Sequence, residues 1–217
     1  MKIRWLGHSC FLITSEQGTR IITDPFTAGK GIGLEYKEVT LAADIVTSSH
    51  GHADHNNTAP IKGSPVILTD PTDSTVKDIK IHTVRTWHDE NEGKQRGPNL
   101  VFCFEVDGVK VCHMGDLGHK LGKAQIDEIG KVDVVCMPVG GVFTLDCETA
   151  MQTCESLRPS IVIPMHYKTE YCGWLKWTAD DFVKGRNNYR KLDTDELEIK
   201  AGSLPKAMEI IILKYRG

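Results

Sequence analysis

Short runs of apolar and β-branched residues recur along this chain, most of them closed by glycine, proline or an acidic residue. Residues 3–13 read as two strands broken at Gly7-His8-Ser9, and residues 20–23 as a further strand ending at Asp24-Pro25. Residues 43–47, 65–69 and 80–86 continue the series, since short β-branched runs bounded by turn residues favour extended backbone. Residues 99–105 and 109–113 flank Asp107-Gly108, the dipeptide that suits a type I′ hairpin turn. Beyond residue 120 the pattern changes. Helical stretches are expected at 121–129, at 145–157 (closed before Arg158-Pro159) and at 178–184. Strands at 132–139, 161–164, 197–200 and 208–215 alternate with them. Periodicity supports an α/β or α+β architecture and goes no further.

One stretch does not fit a purely structural reading. Ser48-Ser49-His50-Gly51-His52-Ala53-Asp54-His55 puts three of nine histidines and an aspartate within six positions. In extended backbone, residues two apart share a side. His50 and His52 can therefore converge on one ion, while Asp54 and His55, where the chain must turn, can reach a second. Imidazole with carboxylate suits Zn(II), and also Mn(II) or Fe(II).

The pattern His50-x-His52-x-Asp54-His55 resembles the HxHxDH signature of the metallo-β-lactamase superfamily. That resemblance implies an α+β fold, a four-layer αββα sandwich, over residues 1–217 as a single domain. It also implies further ligands in chain order. A histidine leaving a strand into a polar loop matches at His88; His82 competes but sits earlier in its strand. The Gly115-Asp116 pair matches the carboxylate that bridges two ions, and Met165-His166-Tyr167 the last metal histidine. The implied assignment gives His50, His52 and His88 to one ion, Asp54, His55 and His166 to the other, and Asp116 to both. Asp24 matches an aspartate that orients the histidine loop from behind, against the plain alternative of a turn cap before proline. His8, in Gly-His-Ser, falls close to the pocket in similar chains, although a lone histidine is often structural.

By the same resemblance, two divalent ions, zinc first among them, activate a hydroxide at neutral pH, with Asp54 and Asp116 as the catalytic carboxylates. The expected reaction is hydrolysis of a lactone or phosphoester. Leu6-Gly7-His8-Ser9, His88-Asp89 with Arg96-Gly97, and Gly115-Asp116 are similar to the small metal-dependent hydrolases related to ascorbate-phosphate lactonase. A di-iron redox enzyme and a non-catalytic metal-binding protein of the same fold stand as alternatives. His52 stands where the oxygen-reducing di-iron relatives place a glutamate. Lys94 and Arg96, between glycines just after His88, are candidates to meet an anionic substrate, with His119 as a third.

Composition narrows the partners. A net charge of -3 exerts no general pull toward nucleic acid or anionic membrane. No apolar run approaches the roughly 20 residues of a spanning helix. Seven cysteines, odd in number and without a CxxC pair, read as reduced thiols in apolar segments of a cytoplasmic protein. The expected partner is a small-molecule substrate, and homo-oligomerisation stays open.

Overall fold

Alternate residues of the first strands enter two different apolar cores. In β1 (Lys2–Gly7), β2 (Cys10–Thr14), β3 (Arg20–Thr23) and β4 (Ile45–Thr47), the residues Ile3, Trp5, Phe11, Ile13, Ile21 and Ile45 join the larger core. Their neighbours Leu6, Cys10, Ile22 and Val46 join a smaller one with Phe26, Leu34 and Tyr36. A sheet buried on both faces needs this continuous apolar run, because side chains alternate along a strand. Each fully buried isoleucine or phenylalanine stabilises the fold by about 1.5–3 kcal/mol relative to exposure.

The computed structural model describes all residues, Met1–Gly217. Along the chain follow β5 (Val66–Leu68), β6 (Asp73–Val76), β7 (Ile79–Trp87), β8 (Pro98–Val106) and β9 (Val109–His113). Then come α1 (Lys123–Ile129), β10 (Val134–Pro138), α2 (Cys147–Leu157), β11 (Ile161–Met165), α3 (Ala179–Val183), β12 (Tyr189–Lys191), β13 (Glu196–Glu198) and β14 (Glu209–Ile212). One sheet has the order β13-β1-β2-β3-β4-β5 and the other β12-β14-β11-β10-β9-β8-β7-β6; both are mixed. The result is an α+β sandwich.

The outer layers differ. α1 lies on β7, and α2 lies on β10 and against α3, so the eight-stranded sheet carries the helices. The six-stranded sheet is covered instead by irregular chain holding Phe26, Leu34, Tyr36 and Val39, with one 3-10 turn at Lys30–Ile32. The fourth layer is therefore loop rather than helix. Caps account for the helix starts: the Asp146 carboxylate accepts the Thr149 N–H at 2.8 Å, and Thr178 forms a capping box with Asp181. The hairpin between β8 and β9 turns at Asp107 and Gly108, both at positive φ as a type I′ turn requires. β6 and β12 carry no apolar run and are absent from the pattern reading; each is an edge strand held by its neighbour. All seven cysteines are free thiols, and no helix is long and apolar enough to cross a membrane.

Candidate metal centre

Six strands run out toward one rim and leave a chemically active residue there. β1 leads to His8, β3 to Asp24, β4 to the His50–His55 loop, β7 to His88, β9 to Asp116 and β11 to His166. Three of these residues, His8, Asp24 and His166, adopt left-handed backbone, with φ of 51°, 42° and 49°. Non-glycine residues held there cost roughly 1–3 kcal/mol each and cluster at functional sites. Nothing in their local sequence announces it.

The ligand candidates converge. Oδ2 of Asp116 lies 3.2 Å from His55 Nε2, 3.3 Å from His88 Nε2, 3.3 Å from His166 Nε2 and 3.9 Å from His50 Nε2. His50 Nε2 and His52 Nδ1 are 3.0 Å apart. The donor atoms of His50, His52 and His88 form one cluster, and those of Asp54, His55 and His166, with His8, form another. His82, the rival of His88, pairs with Asp73 at the sheet edge, away from both clusters. Such crowding of donors with few N–H groups to satisfy them fits bound cations. Buried His55 Nε2, His166 Nε2 and Asp116 Oδ1 have no hydrogen-bond partner of their own.

Asp24 is fully buried and organises the histidine loop. Its Oδ1 accepts the Ser49 N–H at 2.8 Å, and its Oδ2 accepts the Ser49 hydroxyl at 2.6 Å and His55 Nδ1–H at 2.8 Å. Ser49 has then spent its proton, so its oxygen accepts Nδ1–H of His50 at 2.9 Å. Both histidines are thereby left with Nε2 turned to the cluster, the role carboxylates and hydroxyls play behind metal-bound imidazoles. Burial by itself would lower the His55 imidazole, but the carboxylates of Asp116, Asp54 and Asp24 outweigh it and hold it well above the ordinary histidine range. Burial pushes His50 down to about 3, so it presents a neutral ring. Asp116 stays ionised despite burial because His166 and His55 face it.

Three supporting residues were given no role by the sequence. Asn99 is buried and accepts the Asp116 N–H, while its amide donates to Thr86 Oγ1 and the Met114 carbonyl. His113 donates from Nε2 to the Ser9 carbonyl at 2.7 Å and accepts the Gly115 N–H at 3.3 Å, tying the His8 loop to the Asp116 loop. Asp89, next to His88, accepts the backbone N–H groups of Asn91, Gly93, Gln95 and Arg96. The available signal was a polar side chain inside an apolar strand or beside a ligand. Close backbone approach sets two glycines: a Cβ at Gly115 would meet Asn99 Oδ1 at 2.3 Å, and one at Gly140 the His166 carbonyl at 2.2 Å.

A cavity of about 600 Å³ opens beside the first cluster, lined by His50, His52, Thr69, Asp70, Arg85 and Arg96 among others. The Arg96 guanidinium rests 4.0 Å above the Phe143 ring. Lys94 is exposed and lies outside this lining. His119 does not offer a free nitrogen: Nε2 accepts the Trp87 N–H at 3.2 Å and Nδ1–H donates to the Lys120 carbonyl at 2.9 Å. Its place is behind the strand end that delivers His88, a correction to the substrate contact expected of it. Arg85, not singled out by sequence, joins Arg96 at the cavity.

Residues 2–166 match the β-lactamase superfamily domain. The chain is 30% identical to a UPF0173 metal-dependent hydrolase of Thermococcus onnurineus, across 92% of this chain and 95% of that one. A relative of the same name from Carboxydothermus hydrogenoformans is 30% identical, covering 78% and 85%. Among solved structures, a candidate Zn-dependent hydrolase of the metallo-β-lactamase superfamily from Thermotoga maritima superposes with a TM-score of 0.82 at 38% identity, covering 98% of this chain and 97% of that one. With the fold and the converging His/Asp clusters, these matches show that the chain belongs to the metallo-β-lactamase superfamily.

Proposed function

We propose that the protein is a two-metal hydrolase acting on a small anionic lactone or phosphoester. His50, His52 and His88 would hold one divalent ion, Asp54, His55 and His166 the other, with Asp116 between them. Two such ions supply Lewis acidity and lower the pKa of water toward neutrality. The remaining work falls to the chain. Asp24, directly at His55 and through Ser49 at His50, keeps the imidazoles in register. Asp54, whose Oδ2 lies 3.5 Å from His55 Nε2, would also steer the attacking hydroxide. The names of the relatives, metal-dependent hydrolases, support the reaction class.

The observation that carries the substrate reading is that Arg96 and Arg85 line the same cavity as His50 and His52. A cavity of this size takes a small metabolite. Arg96 is held from two sides, by Asp89 at its backbone and Phe143 at its guanidinium, so little order is lost when it binds a carboxylate or phosphate. The test is a screen of the metal-loaded protein against lactones, phosphodiesters and phosphorylated sugar acids, followed by Arg96→Ala. The expected cost is about 1.5–3 kcal/mol in kcat/KM on the anionic substrate, the range for a charged hydrogen bond. A neutral analogue should lose far less. Equal losses would withdraw the anionic claim and leave the metal centre standing.

A further inference from the structure

We propose that His8 is itself a ligand of the second ion, so that this ion is held by His8, Asp54, His55 and His166 together with Asp116. The proposal rests on the two-ion reading above.

The geometry is that of donors around one centre. His8 Nε2 lies 3.2 Å from Asp54 Oδ2, and His55 Nε2 lies 3.5 Å from the same oxygen. Neighbouring donors about 2.0–2.1 Å from a four- or five-coordinate ion stand roughly 2.8–3.5 Å from each other. The donor atoms of His8, Asp54, His55 and His166 all lie within 4.8 Å of one another. The His8 ring is 4.2 Å from that of His166 and 5.3 Å from that of His55, centroid to centroid.

A histidine with a purely structural role in this protein looks different. His113, equally buried, has both ring nitrogens paired with backbone. His8 is fully buried, finds only Asp54 at Nε2, and has no partner at Nδ1. Its backbone is held left-handed at φ 51°, with its carbonyl accepting Trp5 Nε1–H at 2.9 Å and the His166 N–H at 3.2 Å. Those two bonds fix His8 to the strand ends that carry the second cluster. Strain kept at a residue aimed into a site is a reason to look for a function there.

The two ions then differ. The second has its three histidines fully buried and only Asp54 partly exposed, while the first has His52 exposed on the cavity side. Sites filled by protein ligands are the tightly held ones, and reacting sites keep a position open. A chelator should therefore strip one ion quickly and the other slowly.

The decisive measurement is NMR of the full-length, cadmium-113-loaded protein with nitrogen-15-labelled histidine. One-bond coupling from a single cadmium to His8, His55 and His166 is expected. Coupling to His55 and His166 without His8 would overturn this proposal alone. A single cadmium coupled to all three would support it while overturning the two-ion reading, and no bound cadmium would overturn both. His8→Gln keeps an N–H that can reach Asp54 but is a poor ligand. In chelator competition it should weaken the slowly lost ion on the order of a hundredfold, the upper end of what disturbing a metal histidine's surroundings costs. Retention of both ions within threefold of wild type would mean that His8 acts only through its hydrogen bond to Asp54.

Discussion

The side-chain oxygen of Asn99 accepts the backbone N–H of Asp116 at 2.8 Å, across two strands and out of reach of solvent. That bond aims the carboxylate that sits among four histidines. The Asn99 amide meanwhile closes off the Thr86 hydroxyl and the Met114 carbonyl, so one residue satisfies three buried groups. Asn99→Ala would strand them at once. The expected loss is about 2–4 kcal/mol of folding stability, measured by denaturant unfolding, because buried polar groups without partners are costly. Unchanged stability would mean that water takes the place of the amide.

Asp24→Asn tests the orientation of His55 and His50 separately from the ligands. The amide nitrogen would face donors that the carboxylate now accepts, from Ser49 or His55. Metal affinity in chelator competition should fall about 10–100-fold, the usual cost of removing a partner behind a metal histidine. Circular dichroism should be unchanged. Wild-type affinity would reduce Asp24 to a turn residue before Pro25.

Metal removal should destabilise the fold. Without cations, the ionised carboxylates of Asp24, Asp54 and Asp116 lie near one raised imidazole, His55. A divalent ion at a hundred times its Kd adds about 2.7 kcal/mol. For a chain of this size that is roughly 5–11 °C in Tm. Calorimetry with and without chelator, followed by back-titration with zinc, manganese or iron, reads the shift and ranks the metals. No shift with any of them would argue against a metal centre.

His113 gives the fold a dependence on acid. Burial lowers its pKa, with Asp24 opposing, and its two backbone bonds need the neutral ring. Below about 6.5 the unfolded chain binds a proton there that the folded chain does not. The contribution is thus present above about 6.5 and is lost as pH falls toward the lower folded value. His113→Gln should make the stability profile between pH 7 and 5 shallower by up to about 1.4 kcal/mol per pH unit, one proton's worth. An unaltered slope would place the acid sensitivity in other groups.

The amino-acid sequence by itself determined the strand pattern of the first half, the three helices to within two residues at their ends, and the histidine-rich loop from His50 to His55. These follow from local rules: side-chain period, caps and turn residues, and donors too crowded to be anything but a cluster. That His88 and His166 converge on Asp116 was readable only because similar chains place ligands in that order, as nothing local distinguishes Gly-Asp from an ordinary turn. Tertiary structure alone decided the rest. Asn99 and His113 reach backbone groups distant in sequence, at Asp116 and Ser9, and such pairings leave no periodic trace, while Asp89 ties only its own loop, Asn91 to Arg96. β6 and β12 are edge strands that bury little, so they lack the apolar signature of the inner ones. His119 and Arg85 show the same limit from opposite sides. One is a polar residue near a motif whose nitrogens pair with the backbone of Trp87 and Lys120, and the other an unremarked strand residue that the sheet edge brings to the cavity. Left-handed backbone at His8, Asp24 and His166 is the plainest case, because a residue is held there only when the whole surrounding fold outweighs its local preference.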